Sequence, residues 1–335
     1  MRNASTLKSD LVKSYLAKFP KATSNNLADK IYKENKKVFD SKENARALIR
    51  YYRGSCGAKN RKKMLKKDEY KRDDKDIKLS YNLPEEYNDV LENYVLPKQY
   101  TKVGILSDIH IPYHSNEAIV PALEYLKKKG ADCIILNGDV MDCYQLSRFE
   151  KDPRKRNMKH ELDATSQFLD VLKKHFPKTK IVFKIGNHEV RWMKYMVTKA
   201  PELLDIDEFR LDVLLRFGER NIDFVHSSQM IMVGKLSVLH GHELVGGVGG
   251  VNPARTMFLR TNESLLVGHF HRTSSHTETS LSGRMTTTHS TGCLCYMHPD
   301  YMPYNKWNYG FAYVEVLPSG EYHLQNLRID KGKVY

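Results

Sequence analysis

Residues 181–189 read IVFKIGNHE, an apolar run that stops at Gly186-Asn187-His188-Glu189. The run is short and β-branched, the signature of a buried strand. Gly186 allows a sharp turn where the strand ends. Asn187 and His188 then stand at the strand's carboxyl end, where open α/β sheets place their chemistry. Four other stretches repeat this design. Lys102–Leu106 runs into Ser107-Asp108-Ile109-His110, and Cys133–Leu136 into Asn137-Gly138-Asp139-Val140-Met141-Asp142. Leu236–Leu239 runs into His240-Gly241-His242, and Leu265–Val267 into Gly268-His269-Phe270-His271. Asp, Asn and His are ligand types for a borderline transition-metal site. The period of two along a strand predicts that the paired residues of Asp-x-His and His-x-His share a face, clamping one metal or reaching two. A satisfied polar residue at a strand end explains any one cluster well. It does not explain five in order.

The ordered set resembles the calcineurin-like metallophosphoesterase superfamily. The family pattern is Asp-x-His, Gly-Asp, Gly-Asn-His-Asp/Glu, a His, then Gly-His-x-His. Here it is matched by Asp108/His110, Gly138-Asp139, Gly186-Asn187-His188-Glu189, His240 and Gly268-His269-Phe270-His271, across roughly residues 101–317. The resemblance implies an α/β fold, a four-layer α-β-β-α sandwich, and a two-metal phosphoesterase. It implies Asp108, His110, Asp139 and His271 at one metal, and Asp139, Asn187, His240 and His269 at the other. Asp139 is then the bridge. His188 is left to stabilise the phosphate and protonate the leaving oxygen. Manganese is the expected metal, with Fe, Zn, Ni or Co as alternatives.

Neighbouring residues carry weaker expectations. Asp142 and Glu189 are candidates to orient the histidines from behind. Arg148 and Arg191 are candidates to hold a substrate phosphate. His242 is an alternative to His240 as ligand, or a substrate contact. Gly246–Gly250 lacks a following Gly-Lys-Ser/Thr and is no P-loop; it reads as a flexible loop beside the site.

The charge is uneven. Residues 1–80 hold 23 Lys and Arg against 10 Asp and Glu, a net of +13, out of 54 against 40 and +14 for all 335 residues. Such asymmetry marks contact with a polyanion. Within it, residues 5–54 read as three short helices. Leu11, Val12, Tyr15, Leu16 and Phe19 give the first an apolar face, and Pro20 ends it. Thr23 or Ser24 caps a second with Leu27 and Ile31. Asp40 and Glu43 form a capping-box pattern for a third with Ala45, Leu48, Ile49 and Tyr52, and Gly54 is a stop. Arg46, Arg50 and Arg53 on the last make the set similar to a helix-turn-helix module; the plainer reading is a helical appendage with a solvated basic face. The expected domains are 1–56, the three-helix part; 57–100, a mobile basic linker and lead-in; and 101–335, the metallophosphoesterase domain.

Beyond residue 100, strands and helices alternate, with helices expected at 115–129, 160–175 and within 201–220. A late hairpin is expected at Pro318-Ser319-Gly320. No apolar run of about 20 residues is present, so no membrane span is expected. The five cysteines are an odd number with no disulfide framework, which fits a reducing cytoplasm; the resemblance implies that of a bacterial cell or phage host. Asp142 is not followed by the Arg-Gly found in protein serine/threonine phosphatases of the superfamily. The Gly-Asp-x-x-Asp…Leu-Ser-Arg-Phe…Asp-Pro stretch is similar to metallophosphoesterases of phage and mobile elements. The expected activity is phosphodiester hydrolysis in nucleic acid, as a DNA nuclease bound through residues 1–80. The alternatives are a nucleotide or small-molecule phosphatase, a protein phosphatase, or a DNA-binding regulator with a vestigial metal site.

Overall fold

The computed structural model describes residues 4–53, 91–148, 157–244 and 250–335. The expectations for Gly54, for most of 57–100 and for the glycines at 246–249 lie outside them. The chain divides into two units, Met1–Asn88 and Asp89–Tyr335.

The described part of the first unit holds helices α1 (Ala4–Lys18), α2 (Ser24–Glu34) and α3 (Lys42–Tyr52). Apolar positions at helical spacing bring Val12, Leu27, Ala28, Ile31, Ala45 and Ile49 together around Phe39. Thr23 caps α2 by accepting the Asn26 N–H. Ser41, rather than Asp40, caps α3, accepting the Asn44 N–H at 3.2 Å. The Asp40 carboxylate is turned instead to Lys8 at 2.9 Å and the Asn44 amide, so the capping box does not form. Phe19 lies outside the core, its surface 37 % exposed. Seven residues, 35–41, separate α2 from α3, more than the turn of about 3–4 in a helix-turn-helix. Arg53 is engaged inside the unit, donating to Ser24 Oγ and to the carbonyls of Pro20 and Ala22.

The second unit is built on two sheets. The seven-stranded sheet runs β13-β12-β11-β2-β3-β4-β5. Its strands β2 (Lys102–Leu106), β3 (Cys133–Asn137), β4 (Lys180–Lys184) and β5 (Ile222–Val225) are parallel. On the other side of β2, β11 (Tyr309–Val316), β12 (Tyr322–Asp330) and β13 (Lys333–Val334) are antiparallel. The six-stranded sheet runs β1-β6-β7-β8-β10-β9, from β1 (Tyr94–Val95), β6 (Ile231–Val233), β7 (Leu236–Leu239), β8 (Leu265–Val267), β9 (Ser274–Thr279) and β10 (Met285–Ser290).

Alternation along the strands decides what lies between the layers. Val103, Ile105, Cys133, Ile135 and Val182 point from the first sheet onto Ile231, Val233, Leu236, Val238 and Leu266 of the second. The opposite face of the first sheet, with Leu106, Ile134, Leu136 and Phe183, is covered by α4 (Asn116–Lys129) and α5 (Met158–His175) through Leu126, Leu169 and Leu172. Met257 of α9 (Pro253–Thr261) packs on Leu265 and Val267 behind the second sheet. The order is helix, sheet, sheet, helix, as expected. The remaining α-helices among the described residues are α6 (Val190–Lys199), α7 (Leu211–Leu214) and α8 (Phe217–Arg220). The helical pattern expected within residues 201–220 is met by two short helices, α7 and α8, rather than one. Leu215 N–H closes α7, and Arg216 turns left-handed at φ 50° before α8 begins. No described helix is long and apolar enough to cross a membrane.

Candidate metal centre

The five strand-end clusters meet at one place, where the carboxyl ends of β2, β3 and β4 face those of β7 and β8. Glycine lets the loops close up. A Cβ at Gly186 would fall on the Asp139 amide and carboxylate and within 3.0 Å of the Gly138 carbonyl carbon, so the two loops pass in backbone contact.

The ligand-type side chains do not converge by strand alternation, as the sequence suggested. The strands end at Leu106 and Val267, and the chain beyond them turns. Asp108, His110, Asp139, His269 and His271 all adopt left-handed backbone, with φ of 57°, 52°, 51°, 65° and 56°. Non-glycine residues adopt this region rarely, at a cost of order 1–3 kcal/mol each. Five such residues around one point mark a functional site.

Each carboxylate divides its oxygens. Asp108 Oδ2 accepts the His269 N–H at 2.8 Å, leaving Oδ1 buried 3.2 Å from His271 Nε2 and 3.9 Å from His240 Nε2. Asp139 Oδ1 accepts the His188 N–H at 2.9 Å. Its Oδ2 lies 3.2 Å from His240 Nε2, 3.7 Å from His188 Nε2 and 3.9 Å from His110 Nε2. The imidazoles are oriented from behind. His240 Nδ1 donates to the Asn137 carbonyl at 2.8 Å, and His110 Nδ1 to Asp142 Oδ1 at 3.1 Å. Both Nε2 lone pairs therefore point inward. His110 Nε2 faces His271 Nε2 at 3.3 Å. Asn187 Oδ1 is also buried, without a hydrogen-bond partner.

These observations fit cations. Ligand atoms of Asp108, His110 and Asp139 lie within 4.8 Å of one another, as do those of Asp139, His240 and His269, and Asp139 belongs to both groups. Buried acceptors with no donor are costly, and oxygen and imidazole donors suit divalent transition metals. The electrostatics agree. Burial works against a charged His240, yet Asp139 and Asp108 outweigh it and push its pKa up to about 10. Burial and the adjacent His240 push His269 down to about 4. Despite burial, the surrounding histidines hold Asp139 well below the usual carboxylate range.

The flanking residues take unequal roles. One Asp142 oxygen stands 3.1 Å from His110 Nδ1 and 3.3 Å from His188 Nδ1. Glu189 orients no histidine. Its buried carboxylate accepts the N–H groups of Gly186 (2.9 Å), Asp139 (3.1 Å) and Met141 (2.8 Å), tying two loops together. Burial and the neighbouring Asp139 raise its pKa to about 7. Arg191 turns inward, donating to the Asp142 carbonyl and to His188 Nε2, each at 2.9 Å. His242 stands 5.4 Å, ring to ring, from His240, with Nδ1 3.5 Å from Glu243 Oε2. Arg148 is exposed, ahead of the undescribed residues 149–156.

Three positioning residues escaped the sequence reading. Glu243 accepts the N–H groups of His240 and Gly241, at 3.1 and 2.6 Å. Lys184 is wholly buried and pairs with Glu243 at 2.9 Å, while donating to the carbonyls of Ser227 and Gln229. Cys295 lies with Sγ 3.9 Å from His271 Nδ1. A lysine inside an apolar strand, and an acid just after His240-Gly241-His242, were the available signals.

The calcineurin-like phosphoesterase family model matches residues 101–278, more than half of the chain and all the clusters above. The chain belongs to this family. It is a metal-dependent phosphoesterase. Gene 54 protein of Mycobacterium phage L5 is 26% identical over 180 residues, covering 51% of this chain and 69% of that protein. Among solved structures, Vacuolar Protein Sorting 29 from Cryptosporidium parvum is 14% identical, with a TM-score of 0.39, over 70% of this chain and 95% of the other. Yfce, a phosphoesterase from E. coli, is 18% identical, with a TM-score of 0.30, over 68% and 100%. Likenesses this distant say nothing of substrate.

Proposed function

We propose that this phosphoesterase hydrolyses phosphodiester bonds in nucleic acid, DNA first, using two divalent metal ions. The carrying observation is that Asp139 belongs both to the group with Asp108 and His110 and to the group with His240 and His269. One ion is assigned to Asp108, His110, Asp139 and His271, the other to Asp139, Asn187, His240 and His269, with manganese the first choice. Asn187 adds an oxygen without adding charge. Bound there, the ions would supply Lewis acidity, neutralising phosphate oxygens and lowering the pKa of an attacking water.

The protein's own part is positioning and proton transfer. His188 is assigned as general acid. Its Nδ1 donates to the Asp142 carbonyl at 2.7 Å, which directs Nε2 toward Asp139 and the centre. Asp142 aligns His110 and His188 together, and Glu243 and Glu189 hold the loops. The nucleic-acid part of the reading is supported by the net +13 of residues 1–80, a charge that attracts polyphosphates.

A substrate panel with manganese tests the reading: single- and double-stranded DNA, RNA, nucleotides and a phosphopeptide. DNA should be hydrolysed fastest, and a chelator should stop it. Turnover confined to nucleotides or phosphopeptide would refute the nucleic-acid assignment.

A further inference from the structure

A cavity of about 220 Å³ opens directly beside the centre. His110 and Asp142 are in its lining, and Tyr113, Tyr296, Tyr301 and Trp307 form much of the rest. A group esterified to a phosphate at the metal centre would project into it.

The aromatic wall is built rather than accidental. Tyr296 N–H donates to the Tyr113 carbonyl at 2.7 Å, and His114 bridges to Cys295 across the same two segments. Within the segment, Asn305 Nδ2 donates to the carbonyls of Met297 and Met302. The Trp307 ring rests 4.1 Å from the ring of His271. Yet Tyr296 and Tyr301 keep 58% and 68% of their surface exposed. The backbone that carries these rings is held in place, and rings left uncovered offer stacking faces.

Size and charge narrow the occupant. Pockets for drug-sized ligands run to about 300–1,000 Å³, so this one suits a single ring system. Asp142 and Asp300 are in its lining, and no Lys or Arg is. That disfavours a second phosphate or an acidic peptide. It favours a flat, uncharged ring.

We propose that Tyr113, Tyr296, Tyr301 and Trp307 form a stacking subsite for the nucleobase of the nucleotide whose phosphate is at the metal centre. The proposal rests on the nucleic-acid reading above and names the part of the substrate that the site recognises. Aromatic stacking is tolerant of base identity, so the subsite selects nucleotides over other phosphate esters without choosing a sequence.

Thymidine 5′-phosphate and deoxyribose 5-phosphate differ by the base alone, and calorimetric titration of both into the full-length, manganese-loaded protein tests this. The thymidine compound should bind about 5–150-fold more tightly, the margin that stacking of one base provides. Tyr296→Ala and Tyr301→Ala should remove most of that margin while leaving deoxyribose 5-phosphate affinity unchanged. Tyr301→Phe should keep it, because stacking needs the ring and not the hydroxyl. Equal affinities in the native protein, or a margin indifferent to both alanine variants, would overturn the subsite. So would a tyrosine phosphopeptide that gains from the wall when thymidine does not. Hydrolysis of a thymidine dinucleotide on the same samples separates the two readings. Base-dependent binding without cleavage removes the phosphodiesterase assignment and leaves the subsite; cleavage without base-dependent binding does the reverse.

Discussion

Arg191 Nη2 donates a hydrogen bond to Nε2 of His188, 2.9 Å away. A guanidinium has no acceptor, so Nε2 here presents its lone pair and His188 is neutral, with its proton on Nδ1. To act as an acid, Nε2 must exchange this bond for a proton. A phosphate arriving at the centre is an anion that draws the guanidinium away.

His188→Ala should therefore keep its metals and lose about 10²–10⁴-fold in rate on an unactivated diester, the usual loss for a general acid. The loss should shrink on an aryl diester, whose leaving group needs no proton. Burial and the Arg191 charge lower the pKa of His188, but Asp139 and Asp142 outweigh them and hold it above the ordinary value. Arg191→Ala should accordingly raise it, moving the alkaline limb of the pH–rate profile upward. Equal losses on good and poor leaving groups would remove the acid assignment.

Asp139→Asn should reduce the metal content below two per chain and abolish turnover, because Asp139 belongs to both groups of ligand atoms. Metal analysis of the purified variant checks this. Full occupancy would show that Asp139 is not the bridge.

Glu189→Gln should destabilise the protein without touching a ligand. One amide nitrogen would replace an oxygen that accepts backbone N–H groups, leaving a buried donor unsatisfied at a cost of about 1–3 kcal/mol. Thermal melting should fall by several degrees for a unit of this size. An unchanged melting temperature would mean that the two loops are held by other contacts.

A chain starting at Tyr81 should retain its rate on a small aryl diester, since the assigned ligands lie from Asp108 onward. It should bind duplex DNA more weakly, with a shallower salt dependence; each phosphate contact contributes about 0.9 to the slope of log affinity against log salt. Binding of the full-length and shortened chains at two salt concentrations reads this directly. Equal affinities and slopes would assign residues 1–80 a structural role only.

The ligand-type residues were legible because their chemistry restricts them to few side chains and the turns beside them need glycine. The route by which they converge was not. Strand periodicity placed Asp108 with His110 on one face, but left-handed backbone beyond the strand ends brings them together. Glu189 was misjudged for a related reason: a carboxylate beside a histidine suggests a pair, while its actual partners are backbone N–H groups from two loops, which have no sequence signature. Lys184 was hidden inside a strand, where its burial depends on Glu243 from a distant loop. The aromatic residues at 296–307 acquire meaning through the bridge that folds them against Tyr113 and His114. Ser41 displaced Asp40 because caps are decided within one residue, below the resolution of pattern reading.

β11 lies between β2 and β12, pairing Val314 with Val103. On a ribosome, β2 gains one neighbour as soon as residues 133–137 emerge, but its other edge waits for residues 309–316. An open β edge is a template for pairing with other chains, and domains assemble as their sequence is delivered. Among strands that end with a neighbour on each side, the one that presents Asp108 and His110 therefore waits longest for its second. A nascent chain stalled before Tyr309 would carry every ligand of the centre and still display an unpaired strand to its neighbours.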